Sequence, residues 1–473
     1  MSELNDTANL QYIDELWEES ILPSLADYVR IPAKSPLFDA EWEANGYIEE
    51  AVELMVQWVK RQAVPGLDID VHRLPGRTPT ILMTLDSQSD ETVLIYGHMD
   101  KQPEFSGWEP GLEPFVPVFR DEKLYGRGGA DDGYAIYAAI AAIKSLQAQG
   151  LPLPRIVILI EASEESGSPD LAHYMDELEE PIGNPGLVIA LDSTAGNYDQ
   201  LWVTTSLRGM LIADLTVKVL TEGVHSGAAG GIVPSSFRLL RQLISRLEDE
   251  NTGTILPDFL SEQIPEVRRH EAMLAGNVLA ATFEDMYPFA GNGKPITDDP
   301  TELVLNNTWA ASLAVTGLCG APSPEDAGNV LRPETTARLA LRIPPTIDAT
   351  AAAEELGTLL TAAAPNGAEV QLDMHEPCAG WHAPLTTDRL RNSLSRASTA
   401  YFGADAMYIG CGGSIPFMEF LANKLPEAQF VVTGVLGPRS NAHGPNEFLH
   451  IPCAKKITAV TAALLYDWGQ RSD

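Results

Sequence analysis

Short, almost wholly apolar runs recur along this chain with helical segments between them, and that alternation constrains the fold more than any other feature. The runs are ILMTL (81–85), TVLIYG (92–97), RIVILIEA (155–162), GLVIALD (186–192) and QFVVTGVLG (429–437). Their shortness and richness in Val and Ile mark them as strands buried on both faces. Between the second and third lies GYAIYAAIAAIKSLQAQG (133–150), Ala-rich, apolar at helical spacing and closed by a glycine where a helix would end. Buried strands alternating with helices predict an α/β fold: a mostly parallel mixed sheet with helices on both faces.

A second rhythm runs from about residue 210 to 376. Strand LIADLTVKVL (211–220), helix 233–249, strands ASLAVTGL (311–318) and TARLALRI (336–343), helix 348–364 and strand AEVQLDMH (368–375) succeed one another. The order β-α-β-β-α-β predicts an α+β ferredoxin-like unit, with an insertion near 251–308 rich in Pro, Gly and Asn. The α/β pattern then resumes with a helix near 384–401. Two domains are therefore expected, as suits 473 residues. Residues 1–208 and 379–473 form the larger, discontinuous one, and residues 209–378 the inserted one. Linkers near 206–210 and 376–382 then lie side by side as a hinge.

Charge narrows the partners. The 66 acidic residues outnumber the 31 basic ones, a net charge of −35 spread along the chain. Such a surface repels phosphate backbones and anionic lipid, so nucleic acid and membranes are not expected partners. The four cysteines are scattered without a CxxC pair, the opening MSELNDTANL has no signal-peptide pattern, and no apolar run reaches the roughly 18 residues of a membrane span. A cytoplasmic protein is the expectation.

Four of the apolar runs lead into polar residues able to bind a cation. TVLIYG leads to His98 and Asp100, RIVILIEAS to Glu164 and Glu165, GLVIAL to Asp192, and QFVVTGVLG, after GPRSNA, to His443. Carboxyl ends of parallel strands share one edge of a sheet, so these groups are expected to converge. Asp131, in YGRGGADDGYA before the Ala-rich helix, is either a helix N-cap or a further member. Two histidines with three or four carboxylates form a donor set for a pair of divalent ions, Zn2+ first, with Co2+ or Mn2+ also suited. In that reading Asp131 bridges, and Asp100 accepts the other ring N–H of His98 to aim it. Glu164 and Glu165 point opposite ways if the chain leaves the strand extended, which makes Glu165 a ligand and Glu164 a general base. Without the other strand ends, SEESGSPD reads as a solvated acidic loop.

GHMD, LYGRGGADD, EASEESGS, ALDS, VHSG and NAHGPNE stand in the order and spacing of the M20 family of zinc peptidases. The chain most resembles the carnosinase and cytosolic non-specific dipeptidase branch over nearly its whole length. The resemblance implies a dizinc site of His98, Asp131, Glu165, Asp192 and His443, with Glu164 as base and Asp100 orienting a ligand. It implies that the inserted domain is a lid and homodimer surface whose His225 reaches the other subunit's site and holds the oxyanion. It also matches Arg342 and Ser414 to a grip on the substrate's C-terminal carboxylate, and Asn329 and His375 to further substrate contacts. Two departures stand out: Gly133 and Tyr134 replace a Lys-Gly pair, and Cys411 replaces a glutamate before GGSIP.

The expected activity is metal-dependent hydrolysis of a peptide or amide bond in dipeptides or short peptides with a free C-terminal carboxylate. Cys411 bears on recognition of a free amino terminus, so an N-acyl-amino-acid deacylase or carbamoylase is the alternative. A non-catalytic metal-dependent binding protein is a third reading, opposed by Glu164.

Overall fold

In the computed structural model, which describes residues 3–89, 91–287 and 289–470, the predicted strands form the centre of a nine-stranded mixed sheet. Arg155–Glu161, Thr92–His98, Leu187–Ala190 and Gln429–Val432 lie side by side and parallel. Antiparallel pairings join Leu67–His72 and Thr80–Leu85 at one side and Trp202–Leu207 and Trp381–His382 at the other, while Met407–Cys411 adds a parallel strand beside Trp202–Leu207. Every residue of Thr92–His98 is buried. Alternate side chains divide between two cores. Val93, Ile95, Ile156, Ile158 and Ile189 face helices Ala135–Ala148 and Ile451–Gly469, whereas Leu94, Tyr96, Val157, Leu159 and Val188 face Leu171, Tyr174 and Met418.

The N-terminal helices Asp6–Leu16, Leu22–Arg30 and Tyr47–Gln62 place Ile13, Leu25 and Met55 in the first of these cores. Of QFVVTGVLG, only Gln429–Val432 stays in the sheet; the rest leaves it as a loop, touching again through a bridge between Leu436 and Thr194. No helix among the described residues is long and apolar enough to cross a membrane.

A separate four-stranded antiparallel sheet has the spatial order Ser312–Cys319, Glu334–Ile343, Gly209–Lys218, Glu369–Met374. That is the β-α-β-β-α-β plan. Strict alternation of burial along Gly209–Lys218 shows one covered face, and helices Ser236–Ile244 and Ala349–Thr361 cover it. The insertion near 251–308 is more ordered than its Pro, Gly and Asn content implies. Its stretch EVRRHEAMLAGNVL is rich in strong helix formers and folds as helix Glu266–Leu279, which packs on helix Pro300–Thr308. Both lie against Met407–Cys411 of the large sheet, where Ala275 and Leu279 meet Trp202 and Met407.

Candidate metal centre

The parallel strands end in register, His98 beside Glu161 and Tyr96 beside Ala190, so the residues just past each strand emerge at one edge. His98 is the last residue of its strand. Gly97 before it is required by crowding, since a Cβ there would stand 2.5 Å from Ala135 Cβ and 2.7 Å from Asp132 Oδ2. That clearance lets the segment carrying Asp131 come down onto the strand end.

Asp131 is not an N-cap. It sits in the turn Gly129–Gly133 with non-helical torsions (φ −121°, ψ 89°) and spends its carboxylate on two imidazoles. Its Oδ1 is 3.3 Å from His98 Nε2 and its Oδ2 is 3.1 Å from His443 Nε2. Glu165 Oε2 also approaches His443, at 3.2 Å from the same Nε2. Around His98, Asp192 Oδ2 is 3.9 Å and Glu164 Oε2 is 4.0 Å from its Nε2. Ligand-type atoms of His98, Asp131 and Glu165, and likewise of His98, Glu164 and Asp192, all lie within 4.8 Å of one another. The cluster thus has two halves joined by Asp131.

Glu164 and Glu165 do not leave the strand extended. They occupy a 3-10 turn, Glu164–Ser166, which points both carboxylates inward, each toward a different histidine. Asp100 builds that turn: its Oδ1 accepts from the Glu164 amide at 3.1 Å and its Oδ2 from the Glu165 amide at 3.0 Å. The same carboxylate lies 3.4 Å from His98 Nδ1, whose hydrogen-bond partner at 3.2 Å is the Asp100 carbonyl.

The electrostatics call for cations. Five carboxylates, those of Asp100, Asp131, Glu164, Glu165 and Asp192, surround two imidazoles in a largely buried space. Burial pushes Asp192 up to about 7, and burial together with Asp192 pushes Glu164 well above its ordinary value. Against the cost of burial, Asp100 and Asp131 hold His98 well above 6.5, and Asp131 and Glu165 hold His443 at about 11. Uncompensated carboxylates at this density are costly, and imidazole and carboxylate oxygen donors fit divalent ions of the zinc class.

The other predicted residues divide. Arg342 Nη1 donates to Ser414 Oγ at 2.9 Å, and Ser414 donates to the Arg208 carbonyl at 2.6 Å. Cys378 lies beside them, its thiol raised by burial and close enough to feel both Arg342 and Glu164. His225 and Asn329 come together on a two-stranded ribbon, Val224–His225 against Val330–Leu331, where the Ser226 amide donates to the Asn329 carbonyl. Among the described residues, neither makes a hydrogen bond or ion pair to the cluster, and His225 is exposed with its Nδ1 accepting from the Gly227 amide. His375 stands 3.4 Å from Asp214, within an exposed ion cluster that includes Arg338. His382, at the end of the short strand Trp381–His382, is partly buried and accepts from Arg268 Nε at 3.1 Å.

Residues 94–467 match peptidase family M20/M25/M40. The chain belongs to that family. It is 27% identical over 425 residues to the cysteinylglycine-S-conjugate dipeptidase of Corynebacterium striatum, covering 86% of this chain and 87% of that protein. It is 26% identical over 359 residues to the β-Ala-His dipeptidase of Homo sapiens, covering 73% and 69%. In fold it is similar to the dipeptidase Dug1p of Saccharomyces cerevisiae, with a TM-score of 0.76 at 22% identity over 99% of both chains. Human carnosine dipeptidase 1 superposes with a TM-score of 0.75 at 21% identity, over 99% of this chain and 100% of that one.

Within this M20 chain, several supporting residues went unread in the sequence. Gln102 donates to Glu165 Oε2 at 2.5 Å, and the buried Asp132 accepts from the His98 amide at 3.3 Å. Glu447 pairs with Arg127 and accepts from the Gly128 amide at 2.9 Å, which fastens the loop leading to Asp131. Glu447 closes the NAHGPNE motif and Gln102 lies two residues past GHMD, so position alone was the available signal.

Proposed function

We propose that this protein is a dipeptidase that uses two divalent ions, Zn2+ first among them, to cleave dipeptides or short peptides with a free C-terminal carboxylate. The observation that carries the reading is Asp131, whose two oxygens reach imidazoles from opposite ends of the chain. His98 and Asp192 would hold one ion, His443 and Glu165 the other, and Asp131 would bridge. Such a pair supplies a water of near-neutral pKa and polarises the scissile carbonyl.

The chain's own groups supply the rest. Both halves already have a carboxylate besides Asp131, which leaves Glu164 free as the base. Its Oε2 takes the proton of the attacking water and returns it to the leaving amine, and a carboxylate raised by burial is suited to both transfers. Arg342 and Ser414 receive the substrate's terminal carboxylate, for which a guanidinium fork is well shaped. Residues 1–208 and 379–473 form the catalytic domain and residues 209–378 the lid, hinged near 206–210 and 376–382. The lid is also the homodimer surface. Ser312–Cys319 is an edge strand whose outer side has no strand partner among the described residues, with Val315 and Leu318 exposed, a feature that favours a partner. His225 of the partner subunit would then hold the oxyanion, with Asn329 beside it and His375 a lesser contact. The acidic surface and the unpaired cysteines suit a cytoplasmic enzyme.

The test is hydrolysis by metal-reconstituted protein of Cys-Gly and β-Ala-His against their N-acetylated forms. Faster turnover of the free dipeptides is expected. Preference for the acetylated set would make the chain a deacylase, and no turnover at full metal occupancy would leave a binding protein.

A further inference from the structure

Away from the cluster, a cavity of about 510 Å³ opens between the inserted helices and strand Met407–Cys411. Its walls include Leu279, Phe283, Tyr287 and Ile409, and none of the cluster's residues. It runs from Thr194, two residues past Asp192, to Gly412, two residues before Ser414. Arg208 also lines it. The residue is 6% exposed, and no carboxylate among the described residues lies within ion-pair distance of it. Its Nε donates to the Gly412 carbonyl at 3.2 Å, and its Nη1 to Asn306 and Ala310 carbonyls and Ser312 Oγ at 3.3, 3.1 and 3.0 Å. Nη2 has no hydrogen-bond partner among the described residues, yet is not sealed off from solvent.

Buried guanidinium groups ordinarily face an anion, because carbonyl dipoles stabilise the charge without neutralising it. Burial, with Arg342 nearby, brings Arg208 down only to about 10, so it is charged at neutral pH. A cation without a counter-ion at the edge of an apolar cavity describes a ligand with both characters.

We propose that this cavity binds an amphipathic carboxylate, the anion meeting Arg208 and the apolar body resting on Leu279, Phe283 and Ile409. The assignment uses neither the cluster nor Arg342 and Ser414, although Cys411, before the GGSIP stretch, also lines the cavity.

Calorimetric titration of the metal-loaded protein with 4-phenylbutyrate and with its amide tests it. The acid is expected to bind at least about tenfold more tightly than the amide, since a charge-assisted contact is lost in the amide. Arg208→Met should erase that preference. Should this variant fail to fold, Ile409→Trp, at a partly exposed position, fills the cavity and should abolish binding of both probes. Binding must also persist in Asp131→Asn, which separates the cavity from the cluster. Equal affinity for acid and amide, survival of binding in Ile409→Trp, its loss in a folded Asp131→Asn, or no binding at millimolar probe would each overturn the proposal.

Discussion

Single side chains in this protein carry several duties, and substitutions should sort by duty. Replacing Glu164 with Gln removes the proposed base and leaves the other donors, so kcat should fall by about 10²–10⁴. Metal content, read by elemental analysis, should stay unchanged; loss of metal would make Glu164 a ligand, a role its 4.0 Å approach to His98 also allows. Asp131→Asn should lose both ions, since it joins the two halves. The departure at Gly133 has a steric cause. A Cβ there would overlap Tyr28 Cε1 and stand 2.6 Å from the Gly128 carbonyl, so Tyr28 fills the space a larger residue would need. Gly133→Ala should cost about 1–3 kcal/mol by overpacking, measured as a lower melting temperature. Tyr134, the other departure, donates to the Leu191 carbonyl at 2.5 Å and so helps set the strand end before Asp192.

At the scale of elements, a buried polar knot ties the insertion to the large sheet. Arg268, on helix Glu266–Leu279, pairs with Glu271 at 2.8 Å, donates to the Ala383 carbonyl and donates to His382. Burial, and then the Arg268 charge, lower His382 to about 4. Above its ordinary 6.5 the ring is neutral whether the chain is folded or unfolded, and its contribution is intact. As pH falls from 6.5 toward 4 the unfolded chain binds the proton first, and stability is lost. Denaturant midpoints for wild type and His382→Gln at pH 7 and pH 4.5 should show this, the variant losing less between the two.

Legibility in the sequence divides along the same line between local and distant causes. Strand ends announced His98, Glu165 and Asp192, because buried apolar runs and parallel order are local signals. His443 was reached along the run QFVVTGVLG too, but less directly, being eleven residues past its strand on a loop. The 3-10 turn at Glu164 was unreadable, since the carboxylate that organises it, Asp100, is sixty-four residues away in sequence. His382 escaped for a similar reason: its partner Arg268 sits in an insertion whose composition masks a helix.

For the whole molecule, the proposed dimer has a decisive test. Glu164→Gln and His225→Ala should each be nearly inactive, but mixed and reassociated they should recover about a quarter of wild-type activity. Half the random pairs are then mixed, each with one intact site. No recovery after verified exchange of subunits would show that His225 serves its own chain or none. The packing of Glu266–Leu279 and Pro300–Thr308 on Met407–Cys411 bears on how any such assembly moves. If those helices stay with the large sheet, the four-stranded body is tethered by four chain crossings: two near the predicted linkers, one ahead of Glu266 and one between Thr308 and Ser312. A body pinned at four points swings through a shallower arc than one hung on a pair, so access to the cleft would be governed by small tilts and not by wide opening.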